Sequence, residues 1–214
     1  TIETDEGSFT HPLGFRWATD VLDPSSVADQ QLAALVGAQV ALNYGLFCEE
    51  LVLHGPFDEH DRAFLTEMLH NTAREIYVNK LLKPNVFLVP GALDLEPIPR
   101  PEELAAPIVF PDALDQPTPS RPWGTGTAIL ASGGKDSLLT QGVCEELDLE
   151  PHALFANESG RHWITALNAW RHLERTRPER TARGWTDCDR AYLFALRHLP
   201  FVRPDFDRVR ADDY

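Results

Sequence analysis

The sequence predicts an α/β fold, a parallel-sheet domain preceded by a smaller, mainly helical α+β module. Three observations carry this. The apolar run Thr127–Ala131 has the length of a buried strand. Leu138–Leu147 follows, with Leu139, Val143 and Leu147 recurring every four residues, the spacing of one helical face. A second strand-like run, His152–Asn157, comes next. Strand, helix and strand make a βαβ unit, which is expected to be right-handed and parallel.

Each remaining element has its own signal. Residues 1–83 form the first module. Phe9 to Val21 could supply one or two strands, interrupted by Pro12 and Gly14. Ser25 or Ser26 can cap a helix to about Leu53, with Leu32, Leu35, Val36, Gln39, Val40, Asn43 and Phe47 on a helical period. Gly55-Pro56 breaks the chain, and Asp58 can cap a second helix to about Leu82. Its buried side is read as Phe64, Leu65, Met68, Leu69, Ala73, Ile76, Tyr77 and Leu81. Residues 84–123 hold ten of the 17 prolines and read as an irregular connector with one short strand at Val86–Val89. Residues 124–214 begin the α/β domain, with further helices at about Ile164–Glu174 and Asp187–His198.

The chemistry concentrates between the first strand and its helix, at Ser132-Gly133-Gly134-Lys135-Asp136-Ser137. A strand, a glycine turn and a helix N-terminus together make an anion site. The glycines let the backbone approach a ligand closely, and the unpaired N–H groups of the helix start point at phosphate oxygens. Lys135 adds a mobile positive charge. The hydroxyls of Ser132 and Ser137 can donate to phosphate, and Asp136 can hold magnesium. Two common phosphate loops do not fit. A G-x-x-x-x-G-K-[ST] loop fails because Asp136 follows Lys135 and Ile129 stands at the first glycine position. The G-x-G-x-x-G fingerprint fails because Gly124-x-Gly126 is followed by Ile129.

The stretch resembles the SGGxDS pyrophosphate loop of the ATP pyrophosphatase (PP-loop) superfamily, whose members cleave ATP between the α and β phosphates and adenylate a substrate. The resemblance implies an adenine-nucleotide α-hydrolase-like domain, ATP and Mg²⁺ as cofactors, and catalytic roles for Lys135 and Asp136. Ser132, Gly133, Gly134 and Ser137 would cradle the β and γ phosphates, with Lys135 neutralising the leaving pyrophosphate and Asp136 as the metal ligand. Asn157, at the C-terminal end of the second strand, would lie near adenine or ribose. Within the superfamily, the chain resembles the ATP-dependent UDP-N-acetylmuramoyl-L-alanyl-L-glutamate epimerases. The segments that carry this are Leu51-Val52-Leu53-His54-Gly55-Pro56-Phe57 and the pattern Phe64-Leu65…Leu69…Glu75-Ile76-Tyr77-Val78-Asn79. The resemblance implies a UDP-linked muramoyl dipeptide as substrate, in cytoplasmic peptidoglycan precursor synthesis. An amide-forming ligase or a tRNA-modifying enzyme of the same superfamily is the alternative.

Composition narrows the alternatives. The net charge of −14 argues against nucleic acid as the main partner. The apolar runs are far too short to span a membrane, so no membrane partner is expected. Cys48, Cys144 and Cys188 are widely spaced, with no C-x-x-C, which argues against a cysteine zinc site and a disulfide framework and fits a reduced, cytoplasmic setting. Residues 161–210 run against the trend, with 11 Arg and six acids. This is either a solvated helical face or a set, from Arg161, Arg171, Arg175, Arg177, Arg180 and Arg183, that faces a polyanionic ligand. Cys188 and His162 are the candidate bases for a two-base epimerisation. Cys188 lies between Asp187 and Asp189, which would raise its pKa. His198 reads as a helix-end histidine. The tryptophans, Trp17, Trp123, Trp163, Trp170 and Trp185, read as core or interface anchors, with Trp163 also placed to line a pocket.

A pyrophosphatase domain needs about five parallel strands, well over about 120 residues. Only 78 residues follow Asp136, with one clear strand among them. The expectation is therefore an incomplete sheet, with the remaining C-terminal part of the same protein as a partner of this one.

Overall fold

The computed structural model describes residues 1–118, 126–158 and 162–206, His162 in its backbone only. In chain order the elements are β1 (Ile2–Thr4), β2 (Gly7–Phe9), β3 (Phe15–Trp17), α1 (Val27–Ala41), β4 (Leu51–Val52), α2 (Glu59–Ile76), β5 (Ile108–Val109), β6 (Ala128–Leu130), α3 (Lys135–Glu146), β7 (His152–Glu158), α4 (His162–Thr176), β8 (Thr181–Thr186) and α5 (Cys188–Leu196). The chain is mixed α/β and folds as two compact units. One is Thr1–Val21 with Arg121–Tyr192, the other Leu22–Ser120 with Leu193–Tyr214. The division therefore does not follow the sequence-read boundaries at 83/84 and 123/124. The first 21 residues join the α/β unit because β3 pairs with β8. Residues after 193 join the helical unit, where Leu88 bridges Val202.

In the helical unit, Ser26 caps α1 by accepting from the Asp29 N–H. α1 stops at Ala41 rather than near Leu53. The Asn43 amide turns back onto the Gln39 and Val40 carbonyls, and a 3-10 turn follows at Leu42–Tyr44. Leu51 and Val52, expected in that helix, instead form β4, parallel to β5. The proline-rich segment is thus no mere connector, since it contributes a strand to this unit. Its Val86–Val89 is not a strand but a single antiparallel bridge at Leu88. α2 starts at a capping box in which Asp58 and Asp61 each accept the other's N–H, and it ends in a π turn at Tyr77–Leu81. Ala38, Leu42, Leu53, Phe57, Leu65 and Leu69 form the core, with Phe110 edge-on to Phe57 at 5.5 Å. Phe64, read as buried, is exposed.

The α/β unit holds a four-stranded sheet in the order β3-β8-β7-β6 and a separate β1-β2 hairpin. β6, β7 and β8 are parallel, and β3 is antiparallel to β8. β8 went unread in the sequence, so two strands rather than one follow the loop. α4 covers one face of the sheet, where Ala153 and Phe155 meet Ala166 and Leu173. On the opposite face Leu130 is 83% exposed. The predicted apolar stripe of α3 is exposed as well, with Leu139, Val143 and Leu147 open to solvent and Gln141 buried instead. Among the described residues no helix is long and apolar enough to cross a membrane.

Candidate functional site

The loop between β6 and α3 sits at the C-terminal end of the parallel strands, the end at which open α/β sheets bind ligands. Ala131 extends the β6–β7 pairing by donating to the Leu154 carbonyl at 2.8 Å. The chain then turns sharply at Gly133, whose φ is +75°. Only glycine holds that angle without strain. A Cβ there would also stand 2.7 Å from the Thr165 carbonyl oxygen and 2.8 Å from the Ala166 Cα. The close approach that requires Gly133 is therefore to the backbone of α4. The glycine locks the loop against a rigid element instead of leaving it free to close on a ligand.

Gly134 caps α3 with extended backbone and no side-chain acceptor. Its carbonyl accepts the first intrahelical bond, from the Leu138 N–H at 3.2 Å. The N–H groups of Lys135, Asp136 and Ser137 therefore precede any acceptor within the helix and are directed out of its end. The serines are used locally. Ser132 Oγ lies 3.4 Å from Ser137 Oγ and accepts the Gly134 N–H at 3.4 Å, while Ser137 Oγ donates to the Gly134 carbonyl at 3.1 Å. These long contacts hold the turn, and a phosphate oxygen could replace them.

Lys135 and Asp136 are exposed, and neither side chain has a hydrogen bond or ion pair among the described residues. Asn157 is half-buried near the end of β7, on the strand next to the loop, with Trp185 as its register partner on β8. The strand ends thus bring Asn157 to the same edge as the loop. No group of three or more His, Cys, Asp or Glu side chains among the described residues could hold a metal. A lone carboxylate at Asp136 suits magnesium carried mainly by phosphate oxygens and water, and does not suit a metal caged by protein ligands.

The candidate bases fare differently. Burial pushes the Cys188 thiol up, and the Glu158 and Asp189 carboxylates add to the rise against a hydrogen bond with Thr186. Cys188 is therefore a thiol at neutral pH, the form that gives a proton rather than takes one. The His162 side chain, Arg161 and Trp123 lie outside the described residues. His198 stacks edge-on against Phe194 at 5.0 Å, as a helix-end histidine does.

The arginine-rich segment separates into pairs and one exception. Arg177 forks onto Glu145, and Arg180 reaches Glu150 at 2.7 Å. Arg171 and Arg175 lie on the solvated side of α4. Arg183 meets no acid among the described residues and lies among Trp163, Trp170 and Trp185. The alternation Arg183-x-Trp185 was the signal for this cluster, hidden because the strand that carries it is not apolar. A groove of about 390 Å³ runs between α3 and α4 past Gln141, Glu145, His172 and Arg177. It follows α3 from Leu138 to Glu145, and no residue of the Ser132–Ser137 loop lines it. No family model, curated protein or solved structure matches this chain.

Proposed function

We propose that the protein is an ATP-dependent, AMP- and pyrophosphate-forming enzyme that adenylates a substrate carboxylate. The proposed substrate is UDP-N-acetylmuramoyl-L-alanyl-L-glutamate, whose terminal L-glutamate is epimerised to the D form. One observation supports the first part above the rest. A glycine turn fixed against α4, the open N-terminus of α3 and the side chains of Lys135 and Asp136, unpaired among the described residues, share one edge of a parallel sheet. The choice of substrate rests on the resemblance of Leu51–Phe57 and Phe64–Asn79 to the epimerase family.

The residues divide the work as follows. The N–H groups at the start of α3 and the hydroxyls of Ser132 and Ser137 bind the β and γ phosphates. The Lys135 ammonium offsets charge that grows on the pyrophosphate as the bond to the α phosphorus breaks. Asp136 is the residue that would hold magnesium, which when bound neutralises and orients phosphate oxygens. The substrate carboxylate, once joined to AMP, is a better electron sink, so its α-proton becomes acidic. A base takes that proton, a proton returns on the other face, and water releases AMP.

The test uses the complete protein with the muramoyl dipeptide, ATP and magnesium in D₂O. AMP together with deuterium at the glutamate α-carbon is expected, and Lys135→Ala should slow AMP release by about a hundredfold or more. AMP without deuterium would move the assignment to an amide-forming or other adenylating enzyme. Neither AMP nor label would overturn it.

A further inference from the structure

Arg183 stands at the middle of β8, on the face of the sheet that α4 covers, with Phe155 as its neighbour across the ladder. Its guanidinium carbon is 4.1 Å from the ring centre of Trp170, 4.2 Å from that of Trp185 and 5.3 Å from that of Trp163. Trp163 and Trp170 also meet each other, at 6.0 Å. Indole faces attract the flat face of a guanidinium and leave its N–H donors, which lie in the plane, unused. The Nε of Arg183 is buried without an acceptor, and no carboxylate pairs with the side chain among the described residues. Neighbouring Arg177 and Arg180 each have an acid. A partly buried cation with idle donors is unfavourable unless an anion completes it.

We infer that the Arg183–Trp163–Trp170–Trp185 cluster is an oxyanion receptor, taking a carboxylate or phosphate group on the in-plane fork of Arg183. The fork matches two oxygens of either group, and the half-buried position leaves it within reach of solvent. The cluster shares no residue with the glycine loop, whose Gly133 meets α4 at Thr165 and Ala166. The inference therefore stands or falls independently of the pyrophosphate reading.

Three of the five tryptophans surround the guanidinium, so tryptophan emission of the complete protein reports on its occupancy. Glutarate, acetate, phosphate and pyrophosphate are titrated at constant ionic strength against chloride. A saturable change with at least one oxyanion is expected, and comparison of the carboxylates with the phosphates tells which source is preferred. Arg183→Met should weaken it by about tenfold or more, as loss of a charged hydrogen-bond partner does. Arg183→Lys, which keeps the charge but not the fork, should also weaken it, and serves alone if the Met variant does not fold. Arg171→Met, on the solvated side of α4, should leave it unchanged, which separates the Arg183 fork from general positive charge. No saturable change with any of the four anions would overturn the inference, as would equal binding by Arg183→Lys.

Discussion

Helices α2 and α3 carry the same kind of apolar stripe in opposite surroundings. α2 buries Leu65 and Leu69, at 0% and 1% exposure, against α1 and the β4–β5 segment. α3 presents Leu139 and Leu147 at 67% and 63% exposure, and its inward residue is Gln141, which donates to Glu145. An amphipathic stripe specifies a surface, and whether that surface is dry depends on what faces it. In the helical unit the partner is present. In the α/β unit, β6 is the edge of the sheet, and the outer face beside it shows Leu130. Parallel sheets are ordinarily covered on both faces. The stripe on α3 and the face at Leu130 have no cover among the described residues.

The sharpest test replaces one leucine in each helix. Leu65→Ala should lower the unfolding free energy by about 2–5 kcal/mol, because it empties a packed site. Leu139→Ala should change it by no more than about 0.5 kcal/mol, as an exposed substitution does. Urea unfolding of the two variants decides this, and a large loss at Leu139 would show that the stripe is covered after all. The next effect in size belongs to the start of α3. Gly133→Ala forces a side chain into a left-handed angle and against the Thr165 carbonyl, and should destabilise by about 1–3 kcal/mol. The unfolding midpoint measures it, and an unchanged midpoint would mean that the loop is not held on α4.

The start of α2 offers a smaller and more specific effect. Burial raises the Asp58 carboxyl, but hydrogen bonds from the Asp61 N–H, the Gln31 side chain, and the Thr118 and His60 N–H groups hold it below the ordinary range. A lowered native pKa contributes stability above the unfolded value, near about 3.9, and that contribution is lost as pH falls through the native value. Asp58→Ala should cost about 1 kcal/mol at neutral pH. Asp58→Asn keeps the cap and should flatten this part of the acid dependence, which unfolding curves between neutral pH and acid will show. The smallest effect is expected between α3 and α4. Hydrogen bonds from Arg177 and Gln141 hold the Glu145 carboxyl low, yet the Glu145–Arg177 pair is more than a third exposed. Glu145→Gln should cost no more than about 1 kcal/mol, and the difference from the parent should shrink in salt.

Local chemistry was legible in this sequence and distant pairing was not. The Ser132–Ser137 turn, the caps at Ser26 and Asp58, and the period of α2 all depend on residues within about one turn of each other, so spacing alone reveals them. β8 depends on partners far away. Its Arg183 is tolerated beneath α4 because three indoles surround it, and its Gly184 lacks a side chain where the Trp17 ring fills the space, 2.3 Å from a Cβ. Neither residue signals a strand by itself. β4 and β5 are two residues each, too short for any alternation to show. Of the site residues, the loop and Asn157 fall on one sheet edge as read, and the upward shift of Cys188 was legible in the adjacent Asp189, whereas the larger contribution from burial and that from Glu158 come only with the fold.

The ladder between β3 and β8 joins Phe15 to Thr186, and it is reinforced by the Gly14 N–H, which donates to Asp187 at 2.6 Å. During synthesis the first of these strands leaves the ribosome 171 residues before its partner. At ordinary elongation rates that is a wait of roughly ten to thirty seconds. Throughout it, β3 has an open hydrogen-bonding edge, with Trp17 beside it. Among the four strands of the described sheet, β3 is therefore the earliest to be made and is fastened only once β8 has emerged.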